Sequence, residues 1–114
     1  MKLREIAAAL DLTVQVAAQR LDTEITGGYA SDLLSCVLAK AQKGNLWVTL
    51  QAHPNVVAVA SLLELAGIVI TEGRKPDPGT MEKANEKGVP IFTTHHATFT
   101  IVGELAKLGV AGVD

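Results

Sequence analysis

The sequence predicts an α/β protein, a three-layer α/β/α arrangement with a mainly parallel sheet, and two observations support this. Three segments, NLWVTL, GIVIT and VPIFT, are apolar along nearly their whole length, which is typical of strands covered on both faces. Each is followed by a segment of about ten residues with helical spacing, and this alternation is the order that builds parallel sheets. A chain of 114 residues that is 48% hydrophobic can bury one core, so we expect a single domain over residues 1–114.

The first part of the chain contains less regular signals. KLREIAAAL carries apolar residues at helical spacing and predicts a short amphipathic helix, whereas TVQVAAQRL is ambiguous because Val14 and Val16 alternate as in a strand. TEIT predicts a short strand that ends at the glycine pair Gly27–Gly28. Ser31 is a favourable N-cap, so a helix is expected to follow it and to stop at Gly44.

The remaining elements alternate regularly. A helix is expected from Asn55 through Leu65, after the NLWVTL strand. A second should begin with Pro78 at its first position, because proline is favoured there, and should end at Gly88. The last helix is expected from about Ala97 to Leu108, followed by a glycine stop.

The helix NVVAVASLLELAG is apolar almost all the way round, so it must be buried on more than one side. Packing by the N-terminal helix is one explanation. We favour a homodimer, with an interface formed by Val56, Val57, Val59 and Leu63.

Three segments together resemble a known family: ITGGYASDLL, then GIVITEGRKPDPGTMEKANEKGVPIFTT, then HHATFTIVGEL. In this order they resemble the DRTGG domain, over roughly the last four-fifths of the chain. The resemblance implies a fold similar to the N-terminal domain of HPr kinase/phosphorylase. It also implies a regulatory role, because such domains lie beside CBS modules in some pyrophosphatases and ahead of phosphotransacetylase-type catalytic domains.

Stand-alone versions of the domain are often encoded near iron hydrogenases, so the resemblance also implies a redox-enzyme complex as an alternative partner. Cys36 is the only cysteine, and it cannot supply a four-thiolate cluster. The acidic and basic residues that the family often carries beside the glycine pair are Tyr29 and Ala30 here, a departure from the family's pattern that removes the arginine.

Polar residues after the predicted strands suggest a site for a nucleotide or another phosphorylated metabolite. Glycines let a backbone approach an anion, hydroxyls donate hydrogen bonds, and an arginine offsets phosphate charge. The expected residues are Thr26, Gly27, Gly28, Ser31, Asp32, Arg74, Thr94, His95 and Thr98. The competing interpretation is a purely structural corner in which Gly28 needs a positive φ.

The histidines and the polar side chains bear on two other kinds of chemistry, metal binding and catalysis. His53, His95 and His96 are candidates for a metal site, but neighbouring histidines on a loop chelate poorly, so no metal and no cofactor are expected. No nucleophile elbow or acid–base pair is evident, so we expect no enzyme activity.

The formal net charge of −2 and the pI near 5.9 argue against nucleic acid as a partner. LREIAAALDLTVQVAAQRL superficially fits a helix-turn-helix, yet its second helix carries a single arginine. No leader or membrane-length apolar run is present, so we expect no membrane association and a cytoplasmic location.

The function expected from the sequence is therefore that of a non-catalytic regulatory or accessory module that self-associates and senses a phosphorylated ligand. The alternative is a structural partner of a redox enzyme complex that binds no ligand itself.

Overall fold

A computed structural model describes all residues from Met1 to Asp114. The helices are α1 (Leu3–Ala9), α2 (Leu34–Lys40), α3 (Asn55–Leu62), α4 (Pro78–Lys87) and α5 (Thr98–Lys107), with a short 3-10 helix at Ala18–Arg20. The strands are β1 (Thr13–Val16), β2 (Gly27–Ala30), β3 (Asn45–Thr49), β4 (Gly67–Ile70) and β5 (Ile91–Thr93).

The five strands form one sheet in the order β1-β5-β4-β3-β2. Strands β2 to β5 are parallel, and β1 pairs antiparallel with β5, with Thr13 opposite Thr93. Strands β3, β4 and β5 are each reached through an α-helix, as the apolar runs separated by helical segments predicted.

Both faces of the sheet are covered, which confirms the predicted three-layer α/β/α fold. One face packs under α2, α3 and α4, where Trp47, Ile68 and Ile70 are fully buried. The other face packs under α1 and α5, where Leu46 and Phe92 lie in a second core. None of the helices combines the length and apolarity that crossing a bilayer would require.

The homodimer interface predicted on α3 is wrong, because its residues pack within the single chain. Val56, Val57 and Val59 are buried inside the single chain, and Leu63 is half-buried against the same core. Helix α3 lies between α2 and α4 as well as on the sheet, so neighbouring elements of its own chain cover its apolar sides. The all-round hydrophobicity of this helix therefore needs no second subunit.

The strand expected at TEIT is also wrong, because the strand of the sheet begins at the glycine pair itself. The preceding residues are held by local contacts at the amino end of the sheet. The Thr26 hydroxyl donates to the Lys43 carbonyl (2.7 Å) and accepts from the Asn45 side-chain amide (3.1 Å).

The C-terminal segment of the chain lies against the glycine pair, and its approach makes glycine necessary at Gly27. The Gly28 N–H donates to the Ala111 carbonyl at 2.9 Å, and Gly28 forms a parallel bridge with Gly112. A Cβ on Gly27 would lie only 2.8 Å from the Ala111 oxygen. Neither Gly27 nor Gly28 has a positive φ, so the expected left-handed corner at Gly28 is wrong.

Substituting each glycine by alanine separates these two positions. Gly27→Ala should lower the free energy of unfolding by about 1–3 kcal/mol, because its Cβ overlaps the Ala111 carbonyl. Gly28→Ala should cost clearly less, since its Cβ would meet Val110 at 3.4 Å, an ordinary contact. Urea denaturation of both variants provides the measurement, and equal losses would contradict this account of the glycine pair.

Candidate functional site

The parallel pairing brings the carboxyl ends of β2 to β5 to one edge of the sheet, here called the rim. The residues that follow these strands meet there, and in open α/β sheets this edge is the usual place for ligands. Ser31 and Asp32 follow β2, and Thr94 and His95 follow β5. Thr26 and Gly27 lie at the opposite edge, because Gly27 pairs with Asn45, the first residue of β3. The nine residues expected to bind one ligand therefore do not form one cluster.

Asp32 is engaged in holding the rim together. Its carboxylate accepts hydrogen bonds from the Thr49 hydroxyl (2.8 Å) and from the Leu50 N–H (2.7 Å). Ser31 contributes to the same contact between β2 and β3, because its carbonyl accepts from the Trp47 indole N–H, and its hydroxyl oxygen accepts from the Leu33 N–H. These two predicted ligand residues therefore stabilise the contact between the ends of β2 and β3.

Thr98 and Glu72 join the middle of the rim to α5. The Thr98 hydroxyl is 2.7 Å from the Thr71 hydroxyl, and the Thr98 N–H donates to the Glu72 carboxylate at 3.1 Å. The Thr98 N–H is one of the first amides of α5, which have no partner within the helix. Glu72, on the loop after β4, accepts its hydrogen bond and places a negative charge at the positive end of the α5 dipole.

Three other predicted residues do come together, at the end of the rim near β1. Arg74, Thr94 and His95 line a small polar cavity of about 50 Å³. The residues that complete its lining are Thr13, Gly73, Lys75 and Thr93. We call these seven residues the basic pocket. It contains no apolar and no acidic residue, and neither Arg74 nor Lys75 belongs to any ion pair of the chain.

The threonine hydroxyls of the basic pocket are free to donate. The Thr93 hydroxyl oxygen accepts from the Gln15 amide at 2.8 Å, and the Thr94 hydroxyl oxygen accepts from the His96 N–H at 3.2 Å. Each hydroxyl therefore retains its own hydrogen for a further acceptor. Two cationic side chains and two available O–H donors suit an anion such as a phosphate group.

The loop that carries the cations is held in place by the loop after β5. The Gly73 N–H donates to the Thr94 carbonyl (3.0 Å), and the Glu72 N–H donates to the His96 carbonyl (2.9 Å). Gly73 has a φ of +72°, and a Cβ there would lie 3.3 Å from Nδ1 of His95. Glycine therefore permits both the turn and the close approach of the imidazole.

The histidines do not assemble a metal site. His53 accepts the Asn55 N–H through Nδ1 at the start of α3, which is a local helix-start contact. No three His, Cys, Asp or Glu side chains lie close enough together to hold a metal ion, so His53, His95 and His96 form no such centre.

Four residues of the basic pocket are not among the nine predicted from the sequence: Thr13, Gly73, Lys75 and Thr93. Three of them are direct neighbours in the chain of predicted residues, whereas Thr13 is not. Thr13 reaches the pocket only because β1 pairs antiparallel with β5 and places it opposite Thr93. The segment TVQV gave no local indication of this register, so no sequence signal connects the two threonines.

Comparison with known proteins gives one family match. The model of the family described as DRTGG domain matches residues 5–108, nearly the whole chain. None of the curated proteins matches the chain.

A solved structure with the same fold is the CBS and DRTGG domain region of Clostridium perfringens pyrophosphatase, in complex with its activator diadenosine tetraphosphate. The TM-score is 0.76 at 18% sequence identity. The alignment covers 99% of this chain and 51% of that one, so the chain spans about half the length of that structure.

The role of Asp32 can be tested by two substitutions. Asp32→Ala should lower the free energy of unfolding by about 1.5–3 kcal/mol, because two donors lose a charged acceptor. Asp32→Asn should recover part of this loss, since its amide oxygen can still accept. Thermal or chemical denaturation measures both, and an Asp32→Ala variant as stable as the original chain would contradict the structural assignment.

Proposed function

This chain belongs to the DRTGG domain family, and from that premise we propose that it is a non-catalytic regulatory module that senses a nucleotide or another phosphorylated metabolite. The observation that carries the proposal is the basic pocket, where Arg74, Lys75 and His95 surround free hydroxyl donors. The related pyrophosphatase region takes an activator that contains four phosphate groups, which is consistent with this ligand class.

The size of the basic pocket limits what enters it. A cavity of about 50 Å³ accommodates one phosphate group and is far below the ~300 Å³ at which pockets for whole small molecules begin. The rest of a phosphorylated ligand therefore extends from the pocket over exposed surface. The side chains of Arg74 and Lys75 are exposed and can follow a chain of phosphates outward.

Ligand binding has a direct route to α5. The cations lie on the loop that also carries Glu72, and the Glu72 carboxylate holds the first residue of α5. An anion that draws Arg74 and Lys75 together acts on this same loop. Phosphate binding would thus change the populations of the positions that the loop and α5 adopt. A partner protein that contacts α5 would respond to this change.

We also propose that the chain self-associates, but through α5 rather than α3. Phe99 is 90% exposed on the first turn of α5, an unusual environment for a large aromatic side chain. A two-fold contact would place this residue against its own copy. The comparisons name no redox enzyme, so the hydrogenase-type alternative has no support beyond the sequence resemblance.

Loss of the Arg74 charge should weaken ligand binding. We expect ATP or diadenosine tetraphosphate at millimolar concentration to raise the melting temperature of the original chain. Arg74→Ala should weaken the affinity at least tenfold, because one of the two cations facing the phosphate is removed. Isothermal titration calorimetry would give the affinities.

Lys40→Ala is the matched control, since it removes one exposed positive charge outside the basic pocket. Its affinity should equal that of the original chain. The proposal fails if no nucleotide or polyphosphate stabilises the protein, or if the two variants bind equally well.

Replacing Phe99 tests self-association. Phe99→Ser should convert a dimer into a monomer while the melting temperature changes little, because the side chain makes few contacts within the chain. Leu62→Ser is the control, since Leu62 is also exposed (74%) but lies on α3. Light scattering coupled to size-exclusion chromatography measures the mass. If the original chain is a monomer at concentrations on the order of 100 micromolar, the dimer is refuted.

A further inference from the structure

A cavity of about 530 Å³ lies at the edge of the sheet opposite the rim, where the chain enters β2 to β5. Buried residues that precede β4 and β5 line its inner side, among them Leu65, Ala66 and Val89. The cavity shares no residue with the basic pocket. Pockets of about 300–1,000 Å³ hold whole small molecules, so this one is large enough for a small metabolite.

The charges that line the cavity are only partly paired with one another. Its lining contains three basic and two acidic side chains, which leaves a net charge of +1. Both acidic side chains are engaged, because Glu64 pairs with Lys43 (3.6 Å) and Glu24 pairs with the amino group of Met1 (3.1 Å). The other two basic residues of the lining, Arg20 and Lys87, belong to no ion pair of the chain.

The guanidinium of Arg20 is positioned by Gly88, the residue that ends α4. A Cβ on Gly88 would lie only 3.0 Å from both Nε and Nη2 of Arg20, so glycine is what allows the guanidinium to approach this closely. The guanidinium forms no hydrogen bond within the chain. Its N–H donors are therefore available to a ligand.

Two hydroxyl groups add uncharged donors to the cavity. Thr23 and Ser61 line it, and neither hydroxyl forms a hydrogen bond within the chain. The Thr26 hydroxyl lines the same cavity but is occupied by the Lys43 carbonyl and the Asn45 side chain. The polar side chains that lack a partner can therefore all donate hydrogen bonds to an anion.

We propose that this cavity binds a small monocarboxylic acid, whose carboxylate is held by Arg20 and Lys87. A guanidinium offers paired N–H groups that match the two oxygens of a planar carboxylate. A single negative charge balances the net charge of the lining, whereas a doubly charged phosphate would also be repelled by Glu24 and Glu64. The volume exceeds that of the carboxylate group, so the apolar part of the acid packs on the buried inner side.

This inference goes beyond the proposed function, because it needs no phosphate and none of the residues of the basic pocket. The competing explanation is a structural role for Arg20, whose positive charge lies at the C-terminal end of α4 and is stabilised there by the helix dipole. A structural role would change the stability of the chain when Arg20 is replaced, but it would give the residue no response to a carboxylate.

The test is a titration of the full chain with butyrate, followed by ¹H–¹⁵N NMR, with butyramide as the uncharged molecule of similar shape. Butyrate should shift the Arg20 Nε–H resonance saturably. Butyramide should bind at least about tenfold more weakly, because hydrogen bonds to a charged acceptor are stronger. An unaffected Arg20 Nε–H resonance, equal affinity for the two molecules, or tighter binding of inorganic phosphate at Arg20 would overturn the assignment.

Substitutions in the cavity give a second readout. Arg20→Gln and Lys87→Gln should each weaken butyrate binding at least about fivefold, because each removes one of the two unpaired charges. Lys87→Gln leaves the contact between Arg20 and Gly88 in place, so it tests the site even if Arg20→Gln fails to fold. Arg4→Gln is the matched control, since Arg4 is exposed and lies outside the cavity.

A conservative variant separates binding from structure. Arg20→Lys keeps the positive charge at the end of α4 but loses the paired N–H groups, so its melting temperature should match that of the original chain while butyrate binds more weakly. Tripolyphosphate binding at the basic pocket should be the same in all these variants, so failure of either proposal is seen separately. Butyrate affinities for Lys87→Gln and Arg4→Gln that equal that of the original chain would refute the site.

Discussion

The backbone hydrogen bonding of four parallel strands is the constraint on which the rest of the molecule depends. Because β2 to β5 run in one direction, every loop that leaves a strand emerges at the same edge, and every loop that enters one lies at the other edge. Residues that are far apart in sequence, such as Asp32, Glu72 and Thr94, therefore share one surface.

The acidic side chains of the rim accept hydrogen bonds from neighbouring residues, whereas its basic side chains, Arg74 and Lys75, form no ion pair. Asp32 is held by Thr49 and the Leu50 amide, and Glu72 is held by the first amide of α5. Arg74 and Lys75, on the same loop as Glu72, belong to no ion pair. A chain with a formal charge of −2 can thus present a locally positive pocket, because the distribution of charge at one site, rather than the net charge, governs which ligand is attracted there.

The glycine pair shows how a correct motif can be given the wrong physical reason. A Gly-Gly step before a polar Ser-Asp step is typical of a turn at the end of a strand, where glycine tolerates a positive φ. In the structure the pair begins β2, and glycine is required at Gly27 because a Cβ there would lie 2.8 Å from the Ala111 oxygen. The residue that imposes the requirement is more than eighty positions away, so no local pattern could reveal it.

What the sequence by itself determined is the layer architecture and the family, because apolar runs, caps and glycine stops act over a few neighbouring residues. The helix from Pro78 to the Gly88 stop is found as predicted for this reason. Only the tertiary structure decided that α3 is buried by its own chain, that Thr13 stands opposite Thr93, and that Arg74 and His95 meet while Thr26 does not join them. Those outcomes depend on strand order and register, which arise from packing between distant segments and leave no periodic signal in the chain.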